Sequence, residues 1–346
     1  MSRDVSTDIG PGSSEGRAEL LQVRDLVVRY PVRRGLMEAI RRRPRRFVSA
    51  VDGVSLSVAP GEMLAIVGES GCGKTSTAQA ILRMVETASG EIELGGRDIT
   101  HLGAKDLRPI RRDMQMVYQD PYESLDPRFR VRRAVEEPMV VHGIGGSRAE
   151  RERLTIEALE RVELAPADLF IDRYPHELSG GQRQRVAIAA SLVLDPKLLL
   201  ADEPVSMLDV SVRAGILTLL DQLRRDGDMA IVMITHDLST AAHFSDRIAV
   251  MYLGRIVEEG PSRSVIRDPQ HPYTKALMSV VPKRDPRERG EPQILHGETP
   301  NPIDLPSGCR FHPRCPVAEE RCTTIDPALR PVAGAVDVHR AACVLV

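Results

Sequence analysis

Gly68-Glu69-Ser70-Gly71-Cys72-Gly73-Lys74-Thr75 is the stretch from which the rest of the chain can be read. It fits G-x-x-x-x-G-K-[ST], the spacing of a phosphate-binding loop. An apolar run from Met63 to Val67 leads in, and a helical pattern from Thr75 to Val85 leads out. Glycines let the backbone curl so that successive N–H groups point into one hollow, where phosphate oxygens bind. A helix starting near Lys74 adds the positive end of its dipole. In such a loop Lys74 reaches the β- and γ-phosphates and the Thr75 hydroxyl is a Mg²⁺ ligand, with Ser76 completing the ATP-binding set.

Outward from this loop, short apolar strands alternate with longer helical patterns between Leu20 and about Val257. That alternation favours an α/β fold around a largely parallel sheet. Strands are predicted at Met63–Val67, Met114–Tyr118, Lys197–Ala201, Ala230–Thr235 and Arg247–Met251, and helices at Thr75–Val85, Gly180–Leu194 and Val210–Arg225. Between Arg128 and Pro175 the chain is charged and helix-like, as suits a helical subdomain inserted between two strands over about residues 120–180. Beyond Arg284 frequent Pro and Gly mark a linker into a small cysteine-bearing tail. Residues 1–19 are polar and rich in Gly and Ser, and read as a disordered leader.

Two further stretches carry chemistry. Lys197-Leu198-Leu199-Leu200-Ala201-Asp202-Glu203-Pro204 is an apolar strand that ends in two acids. A buried strand has no use for carboxylates, but a strand whose C-terminal end lies beside a phosphate loop can present them there. Asp202 would hold Mg²⁺ through its water shell and Glu203 would polarise an attacking water. Leu178-Ser179-Gly180-Gly181-Gln182 is an exposed helix start with a hydroxyl and two glycines, suited to a γ-phosphate and also to a plain helix cap.

This last motif, followed by Arg183-Gln184-Arg185-Val186-Ala187-Ile188-Ala189, resembles the signature of ABC ATPases. The resemblance implies a P-loop NTPase ABC cassette over 20–260, with a RecA-like core, an antiparallel β part and a helical subdomain. It also implies two cassettes set head to tail, so that Leu178, Ser179, Gly180, Gly181 and Gln182 serve the ATP of the opposite one. Gln119 resembles the glutamine that contacts Mg²⁺ and the water, and His236 the switch histidine that holds the γ-phosphate. Ser206-Met207-Leu208-Asp209 resembles the loop that crosses to the partner, with Met207 where alanine is commoner. Tyr30 reads either as an aromatic that stacks on adenine or as a strand-end tyrosine. With Glu203 and His236 both present, the resemblance implies a hydrolysing site.

Tyr30-Pro31-Val32-Arg33-Arg34-Gly35 resembles the start of oligopeptide and dipeptide importer ATPases. So do His271-Pro272-Tyr273-Thr274-Lys275-Ala276-Leu277 and Gly308-Cys309-Arg310-Phe311-His312-Pro313-Arg314-Cys315-Pro316, within an extension spanning 261–346. Implied partners are a second ATPase subunit, related more readily than identical, two transmembrane permeases and, indirectly, an extracytoplasmic binding protein. Nickel import, or a soluble ABC ATPase working on ribosomes or DNA, are the alternatives.

Cys309, Cys315, Cys322 and Cys343 place four thiols in a Pro-rich tail too small for its own core. Four thiolates suit Zn²⁺ or an iron–sulfur cluster, although the spacing lacks the CxxC pairs of zinc ribbons. The importer resemblance favours [4Fe–4S]; free thiols and a disulfide stay open. Cys72 reads as a small loop residue.

Composition sets the outer limits. The 346 residues carry a net charge of −2 and 42% hydrophobic residues, so a large core is available and no global pull toward nucleic acid exists. The absence of Trp argues against a base-stacking surface. No apolar run approaches the roughly 18–20 residues of a membrane span. These features predict a soluble cytoplasmic protein, or one peripheral to a membrane through a partner, and the importer resemblance implies the cytoplasmic face of a membrane, with permeases holding it there and no nucleic acid bound. The run Arg41-Arg42-Arg43-Pro44-Arg45-Arg46 reads as a solvated loop, with anionic lipid as its second reading.

Overall fold

The computed structural model describes residues 19–32, 45–281, 293, 295, 297–334 and 338–346. The expected leader therefore lies outside the described residues apart from Glu19, and of the basic run only Arg45 and Arg46 are described. The strands are β1 (Leu21–Pro31), β2 (Phe47–Val58), β3 (Met63–Val67), β4 (Ser89–Leu94), β5 (Arg97–Asp98), β6 (Met114–Val117), β7 (Leu198–Asp202), β8 (Ala230–Thr235), β9 (Arg247–Tyr252), β10 (Arg255–Pro261), β11 (Arg330–Pro331) and β12 (Arg340–Ala341).

They form an eight-stranded sheet in the order β11-β12-β10-β9-β3-β8-β7-β6 and a four-stranded sheet in the order β2-β1-β4-β5. Strands β9, β3, β8, β7 and β6 pair in parallel. Every residue of β3, β7 and β8 is buried, which is why these segments read as unbroken apolar runs. The smaller sheet is antiparallel, and β1 alternates between buried and exposed positions because only one face is covered.

The helices are α1 (Lys74–Ile81), α2 (Ala104–Asp113), α3 (Pro121–Ser124), α4 (Val131–His142), α5 (Arg148–Arg161), α6 (Gly180–Leu192), α7 (Val210–Gly227), α8 (Leu238–Phe244), α9 (Ser262–Arg267) and α10 (Pro272–Ser279). Helix α1 ends four residues before the predicted Val85, since Leu82 caps it and Arg83 turns left-handed at φ 55°. Strand β6 stops at Val117, one residue short of the prediction, where Tyr118 turns out to solvent. Strand β7 runs one residue further than predicted, so Asp202 stays in register with Ile234 of β8. Helices α4, α5 and α6 pack through Val131, Val135, Leu159 and Val186 into the core that also holds β3 and β7.

The chain beyond α10 does not stand apart. Strand β12 pairs with β10 through Glu258–Ala341 and Glu259–Arg340, so the tail closes one edge of the main sheet. An edge covered in this way offers no free row of backbone donors and acceptors there.

Candidate nucleotide site

The phosphate loop is shaped by close packing. A Cβ on Gly68 would run into the Met251 carbonyl of β9, and one on Gly73 into the Ala50 carbonyl of β2. Gly73 also sits at φ 109°, where only glycine is unstrained, and from there it caps α1. Ser70 and Gly71 are exposed at the rim, while the Cys72 side chain is buried beneath it. Burial pushes the Cys72 thiol up despite the nearby Lys74, so it is a small packing residue. Lys74 is itself buried, and its Nζ donates to the Gly68 and Glu69 carbonyls at 2.8 and 2.9 Å. The Tyr30 hydroxyl lies 3.4 Å from Ser76 Oγ, which brings that aromatic to the loop from the smaller sheet.

Four side chains converge at the carboxyl ends of the parallel strands. From β8, His236 Nδ1 lies 3.1 Å from Glu203 Oε2, and from the end of β6 the Gln119 amide reaches the same oxygen at 3.3 Å. Glu203 holds a left-handed backbone, φ 43°, with its N–H bonded to the Ile234 carbonyl at 2.9 Å. Such a conformation costs about 1–3 kcal/mol in a non-glycine residue and is retained where surrounding structure imposes it. The neighbouring Asp202 is buried, and burial raises its pKa while the Thr75 hydroxyl hydrogen-bonds its carboxylate and pulls the other way. Its Oδ1 is buried with no hydrogen-bond partner. A desolvated carboxylate oxygen without a donor, beside a hydroxyl, fits a divalent cation.

The signature residues play two parts. Ser179 Oγ accepts from the Gln182 N–H at 3.3 Å and Gln182 Oε1 accepts from the Ser179 N–H at 2.9 Å, a capping box that starts α6. Packing within this chain favours glycine at Gly181, because a Cβ there would stand 2.5 Å from Val212 Cγ1 of α7. The Leu178 side chain is core, and its carbonyl accepts two bonds from Arg183, at 3.0 and 2.6 Å. Ser206 Oγ donates to the Glu203 carbonyl at 3.1 Å, while Asp209, Met207 and Val210 stand exposed.

A family pattern described as ABC transporter matches residues 51–206, and one described as the C-terminal region of oligopeptide/dipeptide transporters matches residues 257–322. The oligopeptide transport ATP-binding protein OppF of Salmonella typhimurium is 45% identical over 318 residues, which is 91% of this chain and 94% of that one. The chain belongs to the ABC transporter ATP-binding proteins. A putative peptide import ATP-binding protein of Brucella ovis is 44% identical over 90% of this chain and 94% of its own length. Among solved structures, the ATP-binding cassette MJ0796, in a dimeric post-hydrolysis state bound to ADP and Pi, superposes with a TM-score of 0.61 at 30% identity. It covers 70% of this chain and 99% of its own. This ABC ATPase therefore has the P-loop fold expected of it, and it binds and hydrolyses ATP.

The part of the ABC protein that the motifs did not assign to the site is its extension, which touches the phosphate loop directly. The Tyr273 hydroxyl accepts the Glu69 N–H at 2.9 Å. Arg314 makes two bonds to the Glu69 carboxylate, at 2.8 and 3.2 Å, and Thr299 Oγ1 donates to it at 2.9 Å. Burial alone would raise the Glu69 carboxyl, but these donors hold it below the usual range. The motifs containing Tyr273 and Arg314 were legible only as marks of the family. Nothing in a linear reading places them against a residue more than 200 positions earlier.

The extension is also held without a core of its own. Phe311 is buried against Tyr252, Tyr273 and His271, with ring centroids 5.2, 5.4 and 5.7 Å away. Arg310 is bonded to the Asp52 carboxylate and the Leu253 carbonyl, and Arg255 bridges Asp52 and Asp326. The expectation that a metal stands in for a missing core is thus corrected: the tail borrows the core of the cassette. Cys309, Cys315, Cys322 and Cys343 are all free thiols. Burial raises the Cys309 thiol, and the Cys309 N–H donates to the Cys322 carbonyl at 2.9 Å, so these two segments lie together. Among the described residues, however, no three His, Cys, Asp or Glu side chains gather so as to hold a metal ion. The chemistry of the donors suits a cluster; their arrangement does not fit one.

No helix among the described residues is long and apolar enough to cross a membrane.

Proposed function

We propose that this ABC ATPase energises a membrane importer of oligopeptides or dipeptides. The observation that carries the reading is the match of residues 257–322 to the C-terminal region of oligopeptide/dipeptide transporters, in an extension packed onto the nucleotide site. Peptide uptake by cells lacking this chain tests it. Uptake should stop and return when the chain is restored; unchanged peptide uptake together with lost uptake of nickel would move the function to metal import.

Glu203 would be the general base that polarises water, His236 would steady the γ-phosphate and orient Glu203, and Gln119 would contact the water and sense the transport partner, roles that the convergence of the three side chains supports. Lys74 and the loop amides of Gly71 to Thr75 bind the phosphates, with Tyr30 at the base. Mg²⁺ would be held by Thr75, Asp202 and Gln119, where it offsets phosphate charge. The catalytic unit is a pair of cassettes: Met207 and Val210 are 64% and 80% exposed beside Asp209, which supports an apolar contact with a second ATPase, and the importer resemblance favours a related chain over an identical one. Two permeases hold the pair on the cytoplasmic face of the membrane. Co-purification with two multi-span proteins and membrane-fraction recovery that depends on them would support this arrangement.

The four tail thiols would take [4Fe–4S], or Zn²⁺, only by closing onto one centre. Anaerobic purification with iron, sulfide and zinc analysis tests it. Metal-free protein with full transport activity would remove it.

A further inference from the structure

We infer that Tyr273 and Arg314, both in the C-terminal extension, are positioning residues for ATP binding that act through Glu69. Glu69 is a junction. Its N–H is held by the Tyr273 hydroxyl at 2.9 Å, its carboxylate by Arg314 at 2.8 and 3.2 Å, and its carbonyl accepts from Lys74 Nζ at 2.9 Å. All three polar groups of Glu69 thus connect the phosphate-loop lysine to side chains 204 and 245 positions beyond Glu69 itself.

Both outer partners are rigid. Tyr273 is fully buried, its ring packed on Tyr252 at 4.7 Å and on Phe311 at 5.4 Å. Arg314 is 8% exposed and engages both carboxylate oxygens, the geometry in which a guanidinium fixes direction as well as charge. Lys74 shares its ammonium between the Gly68 and Glu69 carbonyls, so the two peptide planes that meet at Glu69 decide where that ammonium rests, and the N–H held by Tyr273 lies in the same peptide as the Gly68 carbonyl. Small misplacements of a group that positions substrate are felt strongly in the reaction.

Simple docking of the tail is the competing account, and the fold supplies its own control. Arg310 also anchors the tail, but through Asp52 and the Leu253 carbonyl, neither of which belongs to the phosphate loop. If Tyr273 and Arg314 only glue the tail down, loss of Arg310 should do to the nucleotide site what their loss does.

The inference rests on residues 68–75 being the nucleotide site. The test is MgATP binding and steady-state ATPase of the full chain assembled with its partner subunits, with thermal unfolding alongside. Tyr273→Phe removes one oxygen from a ring that stays packed, and Arg314→Gln removes the fork. Each should raise the Kd and KM for MgATP roughly three- to tenfold, with a smaller change in kcat. Arg314→Lys should recover part of the loss. Arg314→Gln combined with Glu69→Gln should cost less than the product of the separate effects, since they break one contact. Arg310→Gln should lower Tm while leaving KM where it was. Parent-like KM in both Tyr273→Phe and Arg314→Gln would overturn the inference, as would an equal rise in KM for Arg310→Gln. Failure of the parent chain itself to bind MgATP would instead remove the nucleotide site on which the inference stands.

Discussion

His236 Nδ1 and the Gln119 amide meet on a single atom, Oε2 of Glu203, from the ends of two different strands. Three residues spread over more than a hundred positions thereby share one oxygen at the carboxyl ends of the parallel strands. Glu203→Gln keeps the shape and the hydrogen-bonding capacity but removes the basic oxygen. Steady-state ATP hydrolysis by the assembled complex should fall by about 10²–10⁴-fold, with MgATP binding retained. Turnover equal to the parent would sink the assignment of Glu203 as base.

Asp202 carries a stability cost that its proposed part in holding Mg²⁺ would explain. Burial raises its pKa above that of an unfolded aspartate, so the folded chain holds this proton more tightly. Its contribution to stability is therefore lost as pH rises from the ordinary carboxylate value through the raised one. Asp202→Asn abolishes that loss and should melt higher than the parent at pH 7–8, while Mg²⁺-dependent hydrolysis disappears. A lower Tm at pH 8 would contradict the role given to desolvation.

Complete burial, with Lys275 nearby, pushes the pKa of His271 down to about 3. The folded state then binds fewer protons than the unfolded one, so stability is present above the unfolded value and is lost as pH falls toward about 3. One proton of difference corresponds to a slope of about 1.4 kcal/mol per pH unit. Denaturant titrations between pH 6.5 and 4 should show this slope reduced in His271→Asn. The substitution preserves a side chain able to accept the Tyr273 N–H, which His271 Nδ1 takes at 3.1 Å.

Gly181 has a packing role within this chain and a proposed role toward the opposite cassette, and one experiment can separate them. Gly181→Ala drives a methyl against Val212 and should cost about 1–3 kcal/mol of stability. Adding Val212→Ala should restore the Tm. If hydrolysis stays low in the double variant, the glycine also serves the opposite cassette's ATP; if hydrolysis returns with stability, the clash was the whole effect.

Much of this chain could be read in advance because its chemistry is local. The phosphate loop needs glycines, a lysine and a hydroxyl at set spacing after a strand, and all lie within eight consecutive residues. Strands β3, β7 and β8 are buried on both faces, so each is a plain apolar run whose end marks where Asp202, Glu203 and His236 emerge. The signature was legible as a helix start for the same reason: a capping box is a contact between residues three apart.

Long-range relationships were not legible. The four-cysteine tail suggested a metal in place of a core, but Phe311 and Arg310 show that the core and counter-ions were supplied by β2, β9 and α10. Glu69 was legible only as a member of the phosphate loop, and only folding reveals that Tyr273, Thr299 and Arg314 converge on it. Spacing along the chain encodes contacts that a strand or helix makes with itself. Which distant side chain will supply a donor depends on how whole layers pack, and that information belongs to the folded molecule.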